Sequence, residues 1–458
     1  MLVKIILLIL FFGCMIAVGL YARKSANSMT DFVLGGRSVG PWLSAFAYGT
    51  SYFSAVVFVG YAGQFGWKYG LASTWIGLGN AVIGSLLAWV AMGRRTRVMT
   101  HHLEVATMPD FFGKRYDSNV LRVVASAIAF VFMIPYTASV YNGLSRLFGM
   151  AFDIPYTVCV ITMAVLTGVY VILGGYMATA INDFIQGIIM LFGIVAVIGA
   201  VLSGQGGFIE AVRKLSELPS DVPVTFGQQG AFASFFGTDP LNLLGVIILT
   251  SLGTWGLPQM VHKFYAIKSE KAIKTGTIVS TFFAVIVSGG CYFLGGFGRL
   301  FDAPELYKAD GSMMYDAIIP AMLSTLPDIL IGIVIILVLS ASMSTLSSLV
   351  LTSASTLTLD FIKGNIVKDM DDKKQLIYIR VLIVFFIVVS VVLALNPPTF
   401  IAQLMGISWG ALAGAFLAPF LYGLYWKGVT RAGVWASFIC GVGITVSNMY
   451  FKDRKSTC

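Results

Sequence analysis

Charge is scarce in this chain: of 458 residues only 11% are Asp, Glu, Lys or Arg, against 57% that are hydrophobic. A soluble domain of that length carries about 25% charged residues to keep its surface wet, so a water-soluble globular protein is excluded. Histidine is scarcer still. The three present (His101, His102 and His262) are expected in cytoplasmic loops or at helix ends, and no Ser-His-Asp or metal-binding grouping can be assembled inside the apolar stretches. The five cysteines (Cys14, Cys159, Cys291, Cys440, Cys458) show no CxxC and imply no disulfide framework; all but Cys458 lie in apolar runs and read as small packing residues. Gly35-Gly36 and Gly174-Gly-Tyr176 lack the strand–turn–helix setting of a phosphate loop. No enzyme is expected.

Long apolar runs are abundant instead, and mean hydropathy is +0.86. The runs are continuous, which suits helices crossing a ~30 Å hydrocarbon core and rules out the period-two pattern of a membrane barrel. Twelve spans are expected, at 3–22, 41–63, 71–93, 119–146, 155–174, 177–203, 240–265, 272–297, 326–358, 376–395, 400–425 and 431–450. The first ends on Arg23-Lys24, a topological anchor rather than a signal-peptide cleavage site.

A net charge of +9 could point to nucleic acid, but in a membrane protein basic residues collect in loops for topological reasons. Loops after odd-numbered spans, with their flanking span ends, hold the basic clusters, among them Arg94, Arg95, Arg97, Lys114, Arg115, Lys263, Lys268, Lys271, Lys274, Lys373 and Lys374. The other side has only Lys4, Lys68, Arg146, Arg213, Lys214, Arg299 and Lys308. This bias places the odd-numbered loops in the cytoplasm of a plasma-membrane protein and the N-terminus outside. Lys452, Arg454 and Lys455 then fall outside, against the rule. Two long external loops, 204–239 and 298–325, are expected to pack over the outer mouth, as plain lids or as gates.

Ionisable residues within spans locate the chemistry, because each costs about 2.5–3.5 kcal/mol at a helix centre. Among the carboxylates only Asp183 is expected clearly inside a span, with Asn182 and Gln186 beside it and no basic residue near it in sequence. Either it complements a helix N-terminus or a mobile cation, Na⁺ or H⁺, supplies its partner. A second signal is the run Ser340-Ala-Ser-Met-Ser-Thr-Leu-Ser-Ser348, where Ala341, Ser344, Thr345 and Ser348 share one helical face. Such oxygens suit a small hard cation; small residues that let helices pack closely are the alternative. A third is interruption. Gly49-Thr-Ser-Tyr-Phe-Ser54 and Ser251-Leu-Gly-Thr-Trp-Gly-Leu-Pro258 break spans two and seven, which correspond if five spans form each repeat.

Four segments, Leu34-Gly-Gly-Arg-Ser-Val-Gly40, Gly174–Gly187, Gly253-Thr-Trp-Gly-Leu-Pro-Gln259 and Met343-Ser-Thr-Leu-Ser347, together with Asn396-Pro-Pro398 and Leu421–Trp426, resemble the sodium/solute symporter family in order and spacing. That family includes the bacterial proline and pantothenate permeases and the sodium/glucose cotransporters. The resemblance implies an all-α membrane protein with a five-plus-five inverted-repeat core, one preceding helix and at least one following helix. Mapped here, 1–40 is the extra helix and first cytoplasmic loop, 41–203 the first repeat, 204–239 an external loop, 240–425 the second repeat, and 426–458 a C-terminal helix and tail. It further implies a sodium site from the carbonyls of Thr50, Phe53 and Ala341 and the hydroxyls of Ser344 and Thr345. A second sodium site, known in some relatives, matches Asp183, Ser344, Ser347 and Ser348. The implied activity is import of a small organic solute, an amino acid or a monocarboxylate such as pantothenate, with Na⁺ as coupling ion and the solute against Tyr52, Ser54, Thr254 and Trp255.

Two departures stand out. Tyr52 replaces an aspartate of the proline permeases, so proline does not carry over, and the segments around Tyr52 and Trp255 are nearer the pantothenate permease. Members commonly continue beyond residue 458, which suggests a shortened or incomplete C-terminus. The rival functions are proton-coupled symport through Asp183 and a transporter-like membrane sensor without turnover. The expected partners are a small-molecule substrate and the lipid bilayer, with no nucleic acid; the sequence does not specify an oligomeric state.

Overall fold

The computed structural model describes every residue except 1, 153, 222, 223, 225–229, 364, 368, 400 and 456–458. Cys458, Lys368 and part of the 204–239 loop therefore lie outside the described residues. Among the described residues there are helices and three isolated β-bridges, and no named strand. That is the expected outcome for backbone in lipid, where each N–H and C=O is satisfied within its own segment. Nine helices among the described residues are long and apolar enough to span a membrane, or ten if the bent pair Pro240–Gly256 and Pro258–Tyr265, which turns by 50°, is one crossing.

Two of these spans are too long for a single crossing. Tyr156–Gly204 runs for 49 residues, about 73 Å if straight, against a ~30 Å core. It is interrupted at Gly175, whose φ of 55° and ψ of −143° are not helical. A Cβ there would strike Phe32, so both conformation and space require glycine. Val56–His102, 47 residues, turns similarly at Gly70, with φ of 59°. Elsewhere the bundle closes through missing side chains: a Cβ on Gly66 would enter the backbone of Gly295, and one on Gly187 would meet Phe46 and Thr50.

Burial locates the centre. In Asp328–Ile362 78% of the most apolar window is buried, against 22% for Lys4–Ala22 and 17% for Arg431–Tyr450. The hydroxyl-rich helix Asp328–Thr356 is thus the innermost, packed on Tyr156–Gly204 and Asn119–Phe152. The outer helices expose an apolar face, as lipid contact allows.

The loops between the bundle helices are tied to it. Arg299 donates from Nε to the carbonyl of Trp67 at 2.7 Å, lies over the rings of Phe232 and Trp67, and pairs with Asp221 at 2.6 Å. It thereby fastens parts of both long loops, 204–239 and 298–325, to one end of the bundle.

Two sequence expectations are corrected. Asp183 is not the only buried acid of the spans: the helix begun at Asp328 continues as a π-turn to Ile362, and Asp360 within it is fully buried. Asp360 accepts from Thr107 Oγ1 at 2.5 Å and pairs with Arg122 at 3.0 Å. His262 lies in the last turn of Pro258–Tyr265, a helix end as expected, where it is buried and packs against Tyr176. Lys263, counted among the cytoplasmic basic residues, is 2% exposed and lies in the same helix.

Candidate functional site

The first interrupted span leaves helical geometry directly after Tyr52. Helix Pro41–Tyr52 ends with Phe53 extended (φ −109°, ψ 92°), Ser54 Oγ accepts from the amide of Val56, and a π-helical stretch, Val56–Tyr61, follows. The carbonyls at the broken end turn to side chains of the central helix. Ser344 Oγ lies 3.0 Å from the Thr50 carbonyl and 3.1 Å from that of Ala341. Thr345 Oγ1 lies 3.1 Å from the Ala341 carbonyl and 3.4 Å from those of Thr50 and Ser51.

Five neutral oxygens thus converge, all in buried residues. A monovalent ion held at ~2.4 Å from its ligands needs neighbouring oxygens about 3.4 Å apart, close to the spacings found. The hydroxyl protons now point at carbonyls; a cation would take their place and the hydroxyls would rotate. Four of the five expected residues meet here: Thr50, Ala341, Ser344 and Thr345. Phe53 follows them at the break, its ring stacked on Tyr52 at 4.3 Å, and the carbonyl of Ser51 joins those of Thr50 and Ala341 in the cluster. Sequence reading missed Ser51 because its carbonyl joins the cluster through backbone geometry, which residue type does not signal.

One turn along the central helix lies a second cluster. Asp183 is fully buried, two turns inside its helix and beyond the first-turn reach of the helix dipole. Its expected neighbours turn elsewhere, Asn182 Nδ2 to the carbonyl of Met15 at 3.5 Å and Gln186 Nε2 to the sulfur of Met15 at 3.1 Å. The partner is Lys263, whose ammonium lies 3.6 Å from the carboxylate and donates to Ser348 Oγ at 2.8 Å. Ser348 Oγ is 2.8 Å from Ser51 Oγ, and the ring of Tyr176 lies 5.3 Å from the ammonium. From the sequence, Asp183 is expected to meet either a helix N-terminus or a mobile cation; the folded chain provides a lysine. Of the remaining residues mapped to a second sodium site, Ser347 donates to the carbonyl of Ser344 at 2.9 Å, and Ser344 faces the first cluster.

The four candidate solute residues lie at the two breaks and are all buried. Tyr52 donates from its hydroxyl to the Thr250 carbonyl at 2.6 Å, Trp255 from Nε1 to that of Ile83 at 3.1 Å, and Thr254 to that of Ser251 at 2.8 Å. The structure adds residues that sequence reading did not name. Asn80 Oδ1 accepts from Thr250 Oγ1 at 2.9 Å and Ser251 Oγ at 3.0 Å, and Trp409 packs between Tyr52 and Tyr136 with centroids 6.2 and 5.9 Å away. Asn80 is the one amide of span 71–93 and Trp409 the one tryptophan of span 400–425, so neither belongs to a local pattern.

Comparison with known proteins gives a consistent picture. The sodium:solute symporter family model matches residues 32–441. The sodium/proline symporter of Staphylococcus aureus is 30% identical over 454 residues, 96% of this chain and 85% of the relative. The sodium/proline symporter 2 of Staphylococcus saprophyticus is 29% identical over 451 residues with the same coverages. Among solved structures, the substrate-bound outward-open state of a Na⁺-coupled sialic acid symporter superposes with a TM-score of 0.77 at 17% identity, covering 97% of each chain. A nucleobase-cation-symport-1 family transporter in a closed conformation gives 0.52 at 13% identity, covering 94% of this chain and 96% of that one.

Proposed function

The chain belongs to the sodium:solute symporter family of sodium-coupled membrane transporters, and we propose that its coupling sodium is held by the oxygens of Thr50, Ser51, Ala341, Ser344 and Thr345. The observation that carries this reading is the meeting of a broken helix end with a hydroxyl face at 3.0–3.4 Å, in a place with no charge of its own. Sodium bound there ties the first broken helix to the central helix. Moving inward, each ion gains about 2.3 kcal/mol per 100 mV of membrane potential besides its concentration term. The solute settles between the two breaks, against Tyr52, Ser54, Thr254 and Trp255, and alternating access carries both across.

The chain crosses the plasma membrane twelve times in this reading, counting a turn at Gly70 and at Gly175. Residues 41–203 and 240–425 are the two inverted repeats, and the N-terminus is outside. Removing the buried Lys263 from the basic count leaves that asymmetry intact. The solute is an amino acid or a monocarboxylate: the relatives named for proline favour the former, and Tyr52 in place of an acid argues against proline itself. Proton coupling through Asp183 loses its motivation, because that carboxylate already has a cationic partner at 3.6 Å.

The test is uptake into proteoliposomes under an imposed sodium gradient at fixed pH, with a panel of amino acids and monocarboxylates. Accumulation of at least one solute with sodium, and none with choline, is the expected result. Accumulation driven by a pH gradient alone would replace this reading with proton symport; binding without accumulation would make the protein a sensor.

A further inference from the structure

We propose that the Lys263 ammonium is a tethered cation occupying the position beside Asp183 and Ser348 where a second sodium would bind, so that the chain couples one sodium. The inference rests on the sodium-symport reading above and deepens it. A carboxylate buried as deeply as Asp183 requires a positive charge close by. Among the described residues neither of its oxygens has a hydrogen-bond donor within bonding distance, so the ammonium at 3.6 Å is what offsets its burial.

The ammonium is held on three sides. It faces the Asp183 carboxylate, donates to Ser348 Oγ at 2.8 Å, and has the Tyr176 ring at 5.3 Å. The carboxylate and hydroxyl it engages are of the kind a hard monovalent ion takes. One carboxylate cannot hold both cations at that range without strong like-charge repulsion. Ser348 in turn meets Ser51, whose carbonyl belongs to the first cluster. The fixed charge therefore stands two hydroxyls, those of Ser348 and Ser51, from the mobile one and holds Ser51 in place for it.

Radioactive sodium binding to the purified full-length protein, with choline replacing sodium in the control, tests this. Wild type should saturate at about one sodium per chain and Lys263→Met at about two, while Lys263→Arg and the double variant Asp183→Asn/Lys263→Met stay at about one. Thermal unfolding gives a second readout: sodium should stabilise Lys263→Met more than wild type, and this gain should vanish in the double variant. Saturation of wild type at two sodium ions, or of Lys263→Met at the same number as wild type, overturns the proposal. A Lys263→Met protein that unfolds as readily in sodium as in choline overturns it too, because sodium would then be unable to replace the ammonium. If wild type binds no sodium, the proposed coupling site fails; a single sodium gained by Lys263→Met would still uphold the tethered cation.

Discussion

The two clusters on the central helix sit one turn apart and solve opposite electrostatic problems. At Ser344 and Thr345 all five oxygens are neutral, and hydroxyls satisfy the carbonyls at 3.0–3.4 Å without any ion. At Ser348 a full carboxylate is buried, and a lysine from the second broken span neutralises it. A neutral cage can lose and regain a cation at small cost, which transport requires. A bare buried carboxylate cannot, so its cation is either resident or strictly obligatory. On the proposed reading, the first is a site for turnover and the second for permanence.

The comparison is broken most severely by removing one charge of the pair. Asp183→Asn leaves Lys263 buried and unpaired and should lose about 3–5 kcal/mol of stability, seen as a lower unfolding temperature in detergent. Adding Lys263→Met should recover most of it. A double variant as unstable as the single one would mean that the two residues act separately.

Ser344→Ala or Thr345→Ala should act in the other direction, on sodium rather than on the fold. Each removes one of five ligands, and sodium affinity should fall about tenfold while stability in choline changes by less than ~1 kcal/mol. Unchanged sodium affinity in both would leave these hydroxyls as packing residues. Trp255→Ala should weaken solute binding about fivefold to tenfold and leave sodium binding without solute intact, measured by titration of each ligand alone. Equal losses would make Trp255 part of the frame.

The smallest effect is expected at Asp316, a buried acid of the outer loops and a control for both clusters. It accepts from the Ile401 amide at 3.2 Å, and burial raises its pKa, opposed by that hydrogen bond and by Arg146 and Lys308. A carboxyl raised on folding favours the acid form of the folded state. Its contribution to stability is present below the ordinary carboxylate range and is lost as pH rises through the folded value. Asp316→Asn should remove that slope, a change of about 1 kcal/mol or less, seen by comparing unfolding temperatures across mildly acidic and neutral pH. An unaltered slope would mean that another group titrates.

Legibility in the sequence followed locality. The breaks at Gly49–Ser54 and Ser251–Pro258, and the hydroxyl face of Ser340–Ser348, are patterns within a few residues, and the structure places a break or a buried oxygen cluster at each. Asp183 announced itself as a charge in an apolar run. Its partner did not, because Lys263 lies at the far end of a span, where a basic residue ordinarily marks the membrane surface. The available signal was the run Phe264-Tyr265-Ala266-Ile267 after it, still apolar, which keeps Lys263 inside the packed region. Asp360 was missed for a related reason: the helix continues as a π-turn past the point where hydropathy falls, and Arg122 from a distant helix completes its pair.

Sodium binding to the Ser344→Ala/Thr345→Ala double variant tests the central claim most directly, with Asp183 and Lys263 left as they are. The account predicts that the purified variant keeps its unfolding temperature in choline and loses saturable sodium binding altogether. Saturable binding at wild-type affinity would contradict it and place the coupling ion elsewhere in the molecule.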